Sequence, residues 1–227
     1  MIETMMGVIT IGQSPRPDLV LPMSQIWGEG LTVRERGALD SLSRPEIAAL
    51  EPSEGDEALV TRLLDGSEVI IGHREAEGLV AGAAWDLASQ ECDPILVLCT
   101  GFFAVEAPGA RLIFPRQILN SLVRALPSRG ALGVMVPHPS QEETIGGLWK
   151  EEGLEVITAA VSPYRYERDP ESFLRAAEDL RISGVDMIVM DCMGYSLCMR
   201  EAVRRAAGVP VLLASSAVAH VIASAFQ

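Results

Sequence analysis

Short apolar runs rich in valine and isoleucine recur along the chain, at residues 7–11, 69–71, 95–98, 112–114, 133–136, 155–158, 187–190 and 209–213. They do not alternate apolar with polar residues, so they read as strands covered on both faces. Longer amphipathic stretches fit between them as helices, at residues 57–64, 76–88, 116–126, 141–152, 170–183 and 199–207. Strands of this kind alternating with helices build parallel sheets under helical layers, so the predicted fold class is α/β. Arg168-Asp169-Pro170-Glu171 is a well-formed helix start: Asp169 caps, proline takes the first helical position and an acid follows. Gly184 stops that helix. Residues 24–54 carry the weakest pattern, and within them Ser43-Arg44-Pro45-Glu46 opens a short helix running to Leu50.

The two halves of the chain echo one another. Gly7-Val8-Ile9-Thr10 opens the first and Gly133-Val134-Met135-Val136 the second. A Pro/Ser-rich turn follows each, Gln13-Ser14-Pro15-Arg16-Pro17 and Pro137-His138-Pro139-Ser140-Gln141. Each half later delivers a cysteine from the end of a strand. Ile95-Leu96-Val97-Leu98 leads to Cys99-Thr100-Gly101, and Met187-Ile188-Val189-Met190 leads through Asp191 to Cys192-Met193-Gly194. Ligands bind at the carboxyl ends of strands in open α/β sheets, and all four turns belong there. Two such sheets meeting edge to edge would bring both cysteine turns to one crevice.

Thiols in those places suit acid/base work. A turn between strand and helix surrounds sulfur with backbone N–H groups, which favours the thiolate. One thiolate takes a proton from a carbon acid and the opposite thiol returns one to the other face. The plainer alternative is that Cys99 and Cys192 are small buried packing residues. The charge of Asp191 opposes ionisation of Cys192 if its carboxylate lies near the sulfur. Cys92, in a helix-to-strand connection, and Cys198, just inside a helix, read as structural.

Substrate contacts are expected on the same rim. In the turn after the first strand, Gln13, Ser14 and Arg16 suit a carboxylate or phosphate, with Arg16 able to hold it bidentately. Thr100, Gly101, Gly194 and Tyr195 flank the sulfurs and offer N–H and hydroxyl groups to an oxyanion. Pro137 and His138 lie on the rim of the second half, with His138 an acid/base or a substrate contact. Arg116 adds positive charge or starts a helix, and Ser215 with Ser216 caps the last helix or adds a contact. His73 and His220 are weaker candidates.

Composition narrows the partners. Eighteen Lys and Arg stand against 31 Asp and Glu, a formal net charge of −13. A nucleic-acid surface needs the opposite balance, and so does attraction to an anionic membrane. A small anionic metabolite is still admissible, because a few arginines reverse the field inside a cleft. Four cysteines in 227 residues are too sparse for a disulfide framework, and no paired-cysteine zinc motif exists, so a reducing cytoplasm is expected. Neither GxxxxGK[ST] nor GxGxxG is present, and no metal cluster or cofactor is expected. The opening residues 1–7 lack a basic segment followed by an apolar core, so no leader is expected. Residues 209–226 are apolar, but Pro210, His220 and three serines mark them as a strand and an Ala-rich helix rather than a membrane span.

Four segments carry a resemblance to the AroM family: residues 7–18, Phe114-Pro115-Arg116-Gln117-Ile118-Leu119, Val189-Met190-Asp191-Cys192-Met193-Gly194 and Val209-Pro210-Val211-Leu212-Leu213-Ala214-Ser215-Ser216. More distantly the layout resembles the aspartate/glutamate/hydantoin racemase superfamily, with its maleate isomerases and arylmalonate decarboxylases. That resemblance implies two pseudo-symmetric flavodoxin-like lobes with mostly parallel sheets and an active-site cleft between them. Residues 1–115 with 213–227 would form one lobe and residues 116–212 the other. It implies one cysteine per half as opposing acid and base, at Cys99 and Cys192, with no cofactor, and it implies a homodimer. The racemases follow their first cysteine with Asn-Thr, whereas Thr100-Gly101 stands here. They follow the second with Thr-His, whereas Met193-Gly194 here is closer to the hydantoin branch. The implied function is a cofactor-independent isomerase, racemase or lyase acting beside a carboxylate. The alternatives are a non-catalytic binder on the same scaffold and a redox switch between Cys192 and Cys198, which needs their Cα atoms within about 7 Å.

Overall fold

The computed structural model describes residues 4–126 and 130–226; residues 1–3, part of the stretch considered for a leader, and residue 227 lie outside the described residues. The chain divides into two compact units, Met1–Arg116 with Val218–Gln227, and Gln117–Ala217.

In the first unit the elements run β1 (Thr4–Thr10), α1 (Pro17–Trp27), β2 (Leu31–Gly37), α2 (Arg44–Ala48), β3 (Ala58–Arg62), β4 (Glu68–Gly72), α3 (His73–Ser89), β5 (Ile95–Val97) and β6 (Leu112–Ile113). Four of these strands form a parallel sheet in the order β2-β1-β5-β6. The chain passes to the second unit within α4 (Pro115–Ala125). There follow β7 (Ala131–Val136), α5 (Glu142–Glu151), β8 (Val156–Ala160), α6 (Pro170–Ile182), β9 (Val185–Met190), α7 (Leu197–Ala207) and β10 (Val211–Leu213). The chain returns within α8 (Ala214–Phe226). The second sheet is also parallel, in the order β10-β9-β7-β8.

Numbered within each unit, and with the β3–β4 ribbon set aside, both sheets have the order 2-1-3-4, the start of the flavodoxin-like arrangement. The equivalence extends to single residues. Gly7 pairs with Ile95 across β1 and β5, and Gly133 pairs with Ile188 across β7 and β9. A Cβ on Gly7 would lie 3.0 Å from Ile95 Cγ1 and 3.1 Å from Leu87 Cδ1. On Gly133 it would lie 3.0 Å from Ile188 Cγ1 and 3.3 Å from Leu180 Cδ1. The glycines therefore let α3 and α6 bed a leucine directly on the sheet. Four residues beyond Ile95 is Cys99, and four beyond Ile188 is Cys192.

Each unit has its own core. Ile9, Val80, Leu87, Ile95 and Val97 are buried in the first, and Phe173, Leu180, Ile188, Met190 and Val203 in the second. Burying each such side chain stabilises by about 1.5–3 kcal/mol.

One expectation needs correction. Residues 57–64 are not a helix: β3 pairs antiparallel with β4, and Leu59, Val60 and Thr61 are buried. Gly66, with φ +86°, makes the turn between them, and Leu59 and Ile71 join the first core. β2 lies within the stretch of weakest pattern and pairs with β1 over its whole length. The last turn of α1 runs into the same stretch. Among the described residues no helix is long and apolar enough to cross a membrane.

Candidate active site

The end of β5 builds the first half-site. Leu98 N–H donates to Ile9 O at 2.7 Å, and the chain then turns with Cys99 N–H on Val97 O at 2.8 Å. Cys99 is half-buried, and its Sγ accepts the N–H of Gly101 at 3.3 Å. Beside it Thr100 and Arg116 are buried, and Arg116 Nε donates to Thr100 O at 2.8 Å. A guanidinium is thus fixed one residue from the sulfur-bearing position. His73 completes the surroundings: its ring stacks on Phe103 at 5.1 Å and its Nε2 bonds Phe102 O.

The neighbouring turn, after β1, does not have the expected chemistry. Its donors hold carboxylates of the chain itself. Ser14 N–H and Ser14 Oγ both donate to Asp40, at 2.7 Å each, and Gly37 N–H joins them at 2.8 Å. Arg16 N–H donates to Glu35 at 2.6 Å. The Arg16 guanidinium is only 3 % exposed and forms a bidentate pair with Asp18, at 2.8 Å for both bonds. Burial pushes the Asp18 carboxyl up, but the Arg16 bonds and charge, with Arg62, outweigh it and hold Asp18 below its ordinary range. Gln13 is tied to the β3–β4 ribbon, its N–H on Arg62 O and its Oε1 under Leu64 N–H. Gln13, Ser14 and Arg16 therefore brace this turn, and the fork expected to take a ligand anion holds Asp18.

The second half-site repeats the cysteine geometry. Cys192 follows β9, is half-buried, and its Sγ accepts the N–H of Gly194 at 3.4 Å. Asp191 is 1 % exposed, and its carboxylate accepts the Trp149 indole N–H at 2.7 Å. After β7, Pro137 is buried and His138 half-buried. His138 Nδ1 lies 2.8 Å from Ser140 Oγ and accepts the Ser140 N–H at 3.3 Å. A neutral ring accepting at Nδ1 carries its proton on Nε2, so Nε2–H is the group His138 presents. Ser215 Oγ donates to Tyr195 O at 3.2 Å and ties the start of α8 to the cysteine turn. Cys198 is exposed rather than packed, with its Sγ 3.8 Å from the Tyr166 hydroxyl.

Tyr195 is a core residue, not a substrate contact. It is 1 % exposed and its hydroxyl donates to Val161 O at 2.8 Å. Burial, then the charges of Cys192, Asp191 and Tyr164, push its phenol well above the ordinary value of 10.0. The folded state then keeps a proton that the unfolded chain releases above that value, so stability falls as pH rises through it. Tyr195→Phe is expected to cost about 1–3 kcal/mol at neutral pH, because Val161 O loses a buried donor. It should also flatten the fall in stability above pH 10.0. Urea titrations at pH 7.5 and 10.5 check both.

Sequence reasoning expected Thr100, Gly101 and Arg116 beside Cys99, and Gly194 and Ser215 beside Cys192; in the structure Gly101 bonds Cys99, Arg116 bonds Thr100, Gly194 bonds Cys192 and Ser215 bonds Tyr195. Pro137 and His138 leave β7, the strand paired with β9. It missed Asp40, Glu35 and Asp18 as the occupants of the β1 turn. It also missed Tyr164, whose hydroxyl would lie 2.9 Å from a Cβ on Gly194. An Asp-Gly pair at residues 65–66, between two apolar runs, was the available signal for the ribbon that braces Gln13.

A family model described as AroM protein matches residues 6–226. No curated protein matches the chain. Among solved structures, the maleate isomerase Iso from Pseudomonas putida S16 superposes with TM-score 0.63 at 17 % identity, covering 98 % of this chain and 92 % of that one. An allantoin racemase from Pseudomonas fluorescens gives 0.60 at 16 %, covering 97 % and 90 %. The aspartate racemase of Picrophilus torridus gives 0.62 at 11 %, covering 97 % and 93 %. At these identities the likeness establishes a shared fold.

Proposed function

The chain belongs to the AroM family, and from its paired cysteine turns we propose that it is a cofactor-independent racemase, isomerase or lyase acting at the carbon beside a carboxylate of a small acid. One observation carries this. Cys99 and Cys192 stand at equivalent register positions of two equivalent sheets, and each sulfur accepts the N–H two residues on. A backbone donor aimed at sulfur is the arrangement that suits a thiol in acid/base work. The likeness to the superposed racemases and isomerase supports this reaction class.

On this assignment Cys192 is the principal base. Its thiolate takes the α-proton, and the electron pair of the broken C–H bond passes into the carboxylate as an enediolate. The Cys99 thiol then delivers its proton to the opposite face, and the two sulfurs have exchanged protonation states. In a decarboxylation the bond to the departing CO2 supplies the electron pair, and one thiol protonates the carbon. His138 Nε2–H steadies the oxyanion. The ligand is a small anionic metabolite, and a cytoplasmic homodimer is part of the same proposal.

Iodoacetamide labelling from pH 6 to 9, read by mass spectrometry, tests it. Cys99 and Cys192 should label below pH 8. Cys92, buried and pushed up by that burial, should not. Inertness of both below pH 8 would overturn the proposal. It would favour a non-catalytic small-carboxylate binder, in which the two half-buried sulfurs serve as packing against the cores they touch.

A further inference from the structure

Two tyrosine side chains reach in opposite directions across the end of β7. That strand lies between β8 and β9. Tyr195, beyond β9, sends its hydroxyl to Val161 beyond β8. Tyr164, beyond β8, brings its hydroxyl against Gly194 beyond β9: a Cβ there would sit 2.9 Å from the hydroxyl oxygen and 3.2 Å from Cζ. Each contact therefore links the chain beyond β8 to the chain beyond β9, the two strands that flank β7. The two differ in exposure. Tyr195 is sealed in the core, while Tyr164 is half-buried. The turn carrying Tyr164 is set locally, because Ser162 Oγ accepts the Tyr164 N–H at 3.2 Å and Pro163 is buried. Gly194, in turn, is the residue whose N–H rests on Cys192 Sγ.

We propose that Tyr164 is a substrate-contacting residue of the Cys192 half-site: its phenol, with His138 Nε2–H, donates to the carboxylate beside the carbon that Cys192 deprotonates. This rests on the function proposed above. A phenol is a neutral donor at neutral pH, so it gains most when the carboxylate takes on the extra charge of an enediolate. Glycine at position 194 is what gives the phenol its room.

Two alkylating reagents test this without knowledge of the substrate. Iodoacetate carries the carboxylate that iodoacetamide lacks. At pH 7.5 the labelling rate of Cys192 by each is measured for the wild-type chain, Tyr164→Phe and Tyr195→Phe. Tyr164→Phe should slow iodoacetate at Cys192 about tenfold and iodoacetamide less than about twofold. The ratio at Cys99 should not move, and Tyr195→Phe should leave both ratios as they are. A reactive Cys192 whose ratio is unchanged, or whose two rates fall together, overturns the role of Tyr164 and leaves the thiol chemistry standing. A wild-type Cys192 inert to both reagents overturns both.

Discussion

Cys192→Ala is expected to lower racemisation, isomerisation or decarboxylation at least about 1000-fold, the scale of a lost general acid or base. The measurement is proton NMR in D2O with malate, aspartate, malonate and allantoin offered together. Loss of an α-proton signal reports exchange, and chiral chromatography reports inversion. For a racemisation, Cys99→Ala should lose inversion to a similar degree. Each single variant keeps one base, so exchange at one face should persist in it and disappear in the double variant. Both sulfurs are only half-buried, so alanine at either place leaves a small void. Melting temperatures of the single variants should stay within a few degrees of the wild type. Wild-type rates in both single variants would exclude the thiols from the chemistry.

The largest effect on stability is expected at Gly37, where β2 ends against the β1 turn. A Cβ there would lie 2.3 Å from Asp40 Oδ1, 2.5 Å from Ser14 N and 2.7 Å from Gly12 O. Two of those atoms are backbone, so no rotamer change relieves the clash. Gly37→Ala must push Asp40 out and leave the Ser14 and Gly37 N–H groups without their carboxylate. Overpacking and lost charged hydrogen bonds together cost about 3–5 kcal/mol. In a chain of this size that lowers the melting temperature by roughly 10 °C or more. Gly78→Ala is the control. Gly78 sits inside α3 with nothing within 4 Å of a built Cβ. There the same substitution should stabilise by about 0.5–1 kcal/mol through helix propensity. Equal melting shifts at the two sites would mean that the Asp40 knot does not hold the turn.

Much of the fold was legible because its central strands are covered on both faces and announce themselves as unbroken apolar runs. Where that condition fails, so does the pattern. β2 is an edge strand reading Leu-Thr-Val-Arg-Glu-Arg-Gly with only its end residues buried, and its charges hide it. β3 reads Ala-Leu-Val-Thr-Arg, too short to tell a strand from a helix by periodicity. Its partner strand settles the matter. The site divides the same way. Cys99, Cys192 and their glycines are local words, strand then thiol then glycine. The fate of Ser14 and Arg16 is not local: Glu35 and Asp40, which take their N–H groups, come from β2 and from the turn that follows it. Donor-rich turns look the same in sequence whether they await a ligand or already hold a carboxylate.

Among the described residues the β3–β4 ribbon has no counterpart in the second unit, and this unevenness affects how the protein can diverge. Through Arg62 and Leu64 it grips Gln13 from as far as 51 residues downstream. Any drift in that first loop must be matched by a compensating change in a remote hairpin. In the corresponding loop of the second repeat, His138 rests on a neighbour only two residues away, Ser140. Paralogues that acquire new ligands should therefore vary first at positions 137–141, with the braced loop lagging behind as the conservative partner.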